Sequence, residues 1–242
     1  MKLRILAVLL AVCAAAALFG ACGQQQTNDP GTPKQRQPTP VVETPWKAGD
    51  PYPVVTITME DGGVIKAELY PDMAPNTVHN FISIAKSGYF NGKVFHRASA
   101  DFMIQGGSFD GNGSSAGFPY SIQGEFANAG FAQNTLKHTP GVLSMARMGP
   151  WFEGDTLCYD TNDCQFFIMT AENTGLDNDY AAFGKVIDGM DEVNRIANLP
   201  NTGWPNYILT GEKPVIASVT VDTFGIDYPE PVTVPSREIP AQ

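Results

Sequence analysis

Apolar and polar positions alternate over short distances along most of this chain. Val54-Val55-Thr56-Ile57-Thr58-Met59 is a β-branched run closed by the turn cluster Glu60-Asp61-Gly62-Gly63. Ile65, Ala67 and Leu69 then alternate with Lys66 and Glu68, the period of a strand with one buried face, so an opening hairpin is predicted. Next the period lengthens. Pro75 suits a first helical turn, Val78, Phe81, Ile82 and Ala85 recur at i, i+3, i+4 and i+7, and Gly88 marks the stop. His79, beside that stripe, reads as a surface or boundary residue. Strand-like segments return at 94–107, 141–147, 165–169, 182–186 and 215–224, and Met190, Val193, Ile196 and Ala197 mark a second helix. Two stretches lack a period: 108–134, rich in Gly and Asn and read as a long surface excursion, and 148–164, an irregular acidic loop. Six to eight short antiparallel strands and two helices predict a mainly β domain, a closed barrel with the helices capping its ends.

The segment 94–107 reads as two short strands joined by the polar turn Ala98-Ser99-Ala100-Asp101, and it organises the rest. Phe95, Phe102, Met103 and Ile104 build an apolar wall, and His96, Arg97 and Gln105 set polar groups into it. Arginine stays protonated at any working pH, so a half-buried Arg97 acts as a fixed multi-donor clamp for a carbonyl, an anion or a lone pair, and not as an acid or base.

The ends have a different character. Residues 1–22 carry Lys2 and Arg4, then an apolar run, then small residues before Cys22, the layout of a bacterial export signal. Leu18-Phe19-Gly20-Ala21-Cys22 resembles a lipobox, whose cysteine is acylated and becomes the new N-terminus. A plainly cleaved signal or a short membrane anchor is the alternative. Residues 23–51, rich in Gln, Thr, Pro, Asn and Gly, predict a disordered tether, 52–226 the folded domain, and 227–242 a Pro-rich tail. The whole chain has 15 Lys and Arg against 25 Asp and Glu; without the leader it has 13 against 25, a balance of −12, which argues against a nucleic-acid partner. In an oxidising compartment, with Cys13 and Cys22 set aside, Cys158 and Cys164 remain and suggest one disulfide. No metal or cofactor is expected. Asp110-Gly111-Asn112-Gly113 and the acids at 160–163 lack the spacing of a calcium loop.

Six blocks, in order, resemble the cyclophilin family: Phe95-His96-Arg97; Phe102-Met103-Ile104-Gln105-Gly106-Gly107; Gly124-Glu125-Phe126; Leu143-Ser144-Met145-Ala146; Gln165-Phe166-Phe167-Ile168; and Phe183-Gly184-Lys185-Val186. The resemblance implies an eight-stranded antiparallel barrel capped by two helices and peptidyl-prolyl cis–trans isomerase activity. It implies that Arg97 is the catalytic arginine and that Phe102, Met103, Phe167 and Leu176 wall the proline pocket. His96, Gln105, Ala146, Arg147 and Gln165 match its peptide-contacting positions, and Tyr180 stands where many members have a histidine. Two other departures are Gly175-Leu176-Asp177 in place of Trp-Leu-Asp, and Cys164 before Gln165 in place of Ser, after a longer loop containing Trp151.

The expectation is therefore a monomeric, exported isomerase held to the outer face of the bacterial membrane by a lipid on Cys22. It would assist the folding of exported proteins by acting on proline-containing unfolded or extended polypeptides. A non-catalytic module on the same barrel that only holds proline segments is the alternative.

Overall fold

The computed structural model describes residues 36–114 and 117–237. Eight strands form one sheet: β1 (Val54–Met59), β2 (Val64–Leu69), β3 (Phe95–Ala98), β4 (Met103–Gly106), β5 (Val142–Met145), β6 (Phe166–Met169), β7 (Ala182–Asp188) and β8 (Ile216–Asp222). Their order is β3-β4-β6-β5-β7-β2-β1-β8, with every neighbouring pair antiparallel. Helix α1 (Pro75–Lys86) and helix α2 (Met190–Ala197) complete the fold. The expected full closure needs correcting. The sheet curls until its edges meet, but β3 and β8 share no ladder. The seam is the single bridge Val94↔Val215, with Gly92 N–H to Ile216 O and Ile216 N–H to Lys93 O, both 2.8 Å.

Rings from α1 and the strands fill the curl. Phe81 stands 5.2–5.5 Å from Phe90, Phe166 and Phe183, and Phe95 lies 5.9 Å from Phe166. Fully burying each such ring contributes roughly 1.5–3 kcal/mol, which fixes α1 against the inner face of the sheet. Ala74, at the N-cap, offers no side-chain oxygen to the first turn of α1. Glu125 supplies one instead: its fully buried carboxylate accepts from Asn76 N (3.0 Å), Thr77 N (2.7 Å) and Thr77 Oγ1 (2.7 Å).

Three regions differ from the sequence reading. The excursion 108–134 contributes buried Phe118, Ile122, Glu125, Phe126, Phe131 and Asn134. These residues show no period because an irregular backbone inserts them one at a time. The expected tether and tail are partly docked. Arg36 pairs with Asp160 at 2.6 Å and donates to Ala129 O, Thr39 is buried, and Trp46 stacks on Tyr52 at 5.0 Å. At the other end Tyr228 is buried against His79, which is itself 0% exposed. Asn76 exchanges two hydrogen bonds with the Val232 backbone, and Ser121 and Val234 exchange two more. Polar, Pro-rich composition predicts weak burial, but here it is offset by backbone and side-chain hydrogen bonds spread along each strap. The leader and Cys22 lie outside the described residues. No helix among the described residues is long and apolar enough to cross a membrane.

Candidate active site

A bulge in the β3–β4 pair builds the site. Phe95 pairs with Gly106 but Arg97 with Gln105, so His96 is an extra residue and the strand turns within one step. Phe95, Ala98 and Ile104 consequently face the core, while Arg97, Met103 and Gln105 face the opposite side. At the end of β4, Gly107 has φ +81°, and a Cβ there would lie 2.6 Å from Cys164 O, so only glycine lets the two strand ends approach this closely.

On the outer face, Met103 of β4 pairs with Met169 of β6, and Phe167 sits opposite both Gln105 and Ser144. Arg97, Phe102, Met103, Gln105, Ala146, Arg147, Phe167, Leu176 and Tyr180 line a cavity of about 100 Å³, the size of a small ring. Arg97 Nε donates to Asn206 O at 2.8 Å and Nη1 to Gln105 Oε1 at 2.6 Å, leaving Nη2 without a hydrogen bond among the described residues. Gln105 Nε2 donates to Gln165 Oε1 (3.1 Å), and Gln165 Nε2 to Gly113 O (3.1 Å), a relay that fixes both amides. Burial lowers the Arg97 pKa from its usual value, but the group remains a cation.

The residues named from sequence fall into three places. Arg97, Phe102, Met103, Gln105, Ala146, Arg147, Phe167, Leu176 and Tyr180 surround the small cavity. Gln165 belongs to an adjoining cavity of about 460 Å³ that shares Gln105, Ala146 and Arg147 with the first. His96 lines neither cavity: it is 0% exposed, its ring is covered at Gly113, and burial together with Arg97 and Lys213 pushes its pKa down to about 4. It supports the wall from behind. Gly175 sits in a short 3-10 turn, Thr174–Leu176, where Asn173 Oδ1 accepts its N–H.

The expected disulfide is absent. The Cys158 thiol donates to Asp155 O at 2.9 Å, and Cys164 Sγ accepts from the Tyr89 hydroxyl at 3.2 Å. Closeness in sequence suggested a bridge, but a 3-10 turn, Thr156–Asp160, and the start of β6 hold the two thiols in different surroundings.

Sequence reasoning missed the support beneath Phe167. His138 Nδ1 lies 3.1 Å from Asp177 Oδ1, and Nε2 lies 3.0 Å from Ser144 Oγ. An ionised carboxylate can only accept, so Nδ1 carries the proton and Nε2 accepts from Ser144. The ring lies near-parallel to Phe167 at 6.1 Å, and Tyr180 meets Phe167 edge-on at 5.8 Å. The Arg147 guanidinium lies 4.6 Å from the Tyr180 ring centroid and donates to Asp179 O. No local signal marks His138, because its partners lie 6 and 39 positions away.

The outer face of the curled antiparallel sheet thus carries a ring-sized cavity with a fixed cation at its edge. The model of the family described as cyclophilin type peptidyl-prolyl cis-trans isomerase/CLD matches residues 54–221. The chain belongs to this family, and its activity is peptidyl-prolyl cis–trans isomerisation. It is 39% identical over 165 residues to a peptidyl-prolyl cis-trans isomerase of Acinetobacter baylyi, covering 66% of this chain and 80% of that one. It is 46% identical over 136 residues to the peptidyl-prolyl cis-trans isomerase-like 1 of Rhizopus delemar, covering 55% and 74%. Its fold resembles that of a cyclophilin type isomerase of Cryptosporidium parvum crystallised in the presence of the dipeptide Ala-Pro, with a TM-score of 0.57 and 28% identity over 70% of this chain and 99% of that one.

Proposed function

We propose that Arg97 carries the isomerisation by donating a hydrogen bond to the proline nitrogen as the X-Pro amide twists. An amide resists rotation because its C–N bond has partial double-bond character, with a barrier of about 18–20 kcal/mol. At the twisted geometry that resonance is lost and the nitrogen regains a lone pair, so a donor aimed at it binds the transition state better than either planar isomer. The observation that carries the reading is the Arg97 guanidinium at the edge of the apolar cavity, held by Asn206 O and Gln105 with Nη2 uncommitted. The proline ring fits among Phe102, Met103, Phe167 and Leu176, and Gln105 holds the adjoining peptide, so one side of the bond is fixed while the other rotates. No proton is transferred in this scheme. His96, pushed down to about 4, is neutral throughout the working range.

The reading extends to the setting. The leader and the lipobox-like end at Cys22 support export and lipid attachment on the outer face of the bacterial membrane, where a monomeric isomerase would meet extended, proline-containing chains and assist their folding. A protease-coupled assay on proline tetrapeptides separates this from a module that only holds such segments: acceleration of the slow phase supports the enzyme, whereas binding without acceleration supports the module. Fractionation of cells expressing Cys22→Ser tests the anchor. The variant is expected in the soluble exported fraction and the unaltered protein with the membrane; an unaltered protein already soluble after export removes the lipid from the account.

A further inference from the structure

The larger cavity beside the proline site has a wall that no strand supplies. Met148, Gly149, Pro150 and Trp151 line it, and this irregular segment is held from outside by the C-terminal strap. Arg237 Nη1 donates to Asp155 Oδ2 at 2.8 Å, and the Asp155 side chain is 0% exposed. The same carboxylate oxygen accepts the Trp151 backbone N–H at 2.9 Å, and the other accepts from Leu157 N. The Arg237 guanidinium carbon lies 3.5 Å from the Trp151 ring centroid. One side chain from the strap thus restrains both the backbone and the indole of the residue that walls the cavity. The strap has its own anchors upstream, at Asn76 with Val232, Ser121 with Val234, and Ser236 Oγ donating to Phe118 O.

Without Arg237 the Trp151 backbone keeps its bond to Asp155, but its indole, in a residue 41% exposed beside the exposed Phe152, loses its stacking partner. A buried carboxylate that loses its cation is left uncompensated, and the indole loses a cation–π contact. The polar floor of the cavity is committed internally: Gln105 bonds Gln165, Gln165 bonds Gly113 O, and Asp163 Oδ1 accepts from the backbone N–H groups of Cys164 and Gln165. Beside these internally oriented polar groups, the apolar surface that the cavity offers a substrate is the wall of Met148, Pro150 and Trp151.

We propose that Arg237 is a specificity-determining positioning residue: by clamping Trp151 and Asp155 it sets the wall of a subsite for a large apolar side chain of the substrate, close to the proline. The strap therefore makes the isomerase choose peptides by a residue other than proline. This inference rests on reading the adjoining cavity as the proline site.

The test uses the full exported chain and proline tetrapeptides carrying Ala or Phe at each position flanking the proline. At the position that reaches the subsite, Arg237→Ala is expected to lower kcat/KM for the Phe peptide at least fivefold, through KM, while the Ala peptide changes less than twofold. Trp151→Ala should give the same loss, and combining the two should add little. Acrylamide quenching of Trp151, taken as the difference from a Trp151→Phe protein, should rise in Arg237→Ala. A Phe-to-Ala ratio that Arg237→Ala leaves unchanged, or a uniform loss on all peptides accompanied by a lower Tm, overturns the proposal. If Arg237→Ala does not fold, Arg237→Lys is judged on the same ratio: lysine keeps the charge but not the planar stacking, an intermediate loss is expected, and no loss overturns the proposal. An unaltered protein that turns over no proline peptide refutes the site reading itself, whereas one that turns over Ala and Phe peptides equally at every position refutes the subsite alone.

Discussion

Acid should unfold this protein through two buried histidines. His79, under Tyr228 on α1, and His96, behind the wall that carries Arg97, are both 0% exposed, and their ring nitrogens have no hydrogen-bond partner among the described residues. Burial pushes both down to about 4, against a usual value of 6.5 in an unfolded chain. The unfolded chain therefore takes up protons below pH 6.5 that the folded one excludes until about 4. Stability from the two neutral rings is full above pH 6.5 and is lost as pH falls toward 4, about 3 kcal/mol per histidine. His138, also lowered by burial, acts in the same direction. Glu125 acts oppositely. Burial raises its carboxyl to about 7, so its contribution is full below its usual 4.5 and is lost as pH rises through 7, about 3 kcal/mol. The sum predicts a net loss of about 3 kcal/mol between pH 7 and pH 4, a large part of the stability of an ordinary domain. Urea unfolding across that range measures it. His79→Phe should nearly flatten the profile, and Glu125→Gln should steepen it. Stability that holds or rises from pH 7 to pH 4, with no response to His79→Phe, would refute the reasoning.

Three further outcomes follow from the same geometry. Gln105→Ala frees Arg97 Nη1 and breaks the relay to Gln165, and should lower kcat/KM about tenfold in the protease-coupled assay with little change in Tm. Glu125→Ala removes three hydrogen bonds from the first turn of α1 and should cost about 3 kcal/mol at neutral pH, read by urea unfolding. Because Cys158 and Cys164 are not bridged, both should be alkylated in unfolded protein without prior reduction, and a reducing agent should leave Tm and turnover unchanged.

How much of this the sequence discloses depends on the range of the contact. Strands and helices are fixed by local period, so β1, β2, α1 and the paired β3 and β4 fall where Val54–Met59, Ile65 to Leu69, the Val78 to Ala85 stripe and the 94–107 segment predict them. Arg97 and the apolar residues around it stand out because a charge among strand-spaced apolar positions is itself a local anomaly. The support beneath and beside the cavity is not local. His138 reads as a loop residue until Asp177 and Ser144 meet its two nitrogens, and Arg237 reads as a tail charge until Asp155, 82 positions earlier, receives it. His96 illustrates the limit within a motif: a one-residue bulge turns Arg97 outward and buries its neighbour, and strict alternation cannot anticipate that.

The central claim is that a fixed donor at Arg97 accelerates rotation without acid–base chemistry. Its most direct measurement is kcat/KM for a proline tetrapeptide by Arg97→Ala, in protein shown to be folded, across pH 6 to 8. Losing a donor made for the transition state should reduce the rate about 10²–10³-fold, with peptide affinity changed far less. The unaltered enzyme should give a flat profile over that range. Near-normal turnover by Arg97→Ala, or a rate in the unaltered enzyme that titrates between pH 6 and 8, would contradict the account.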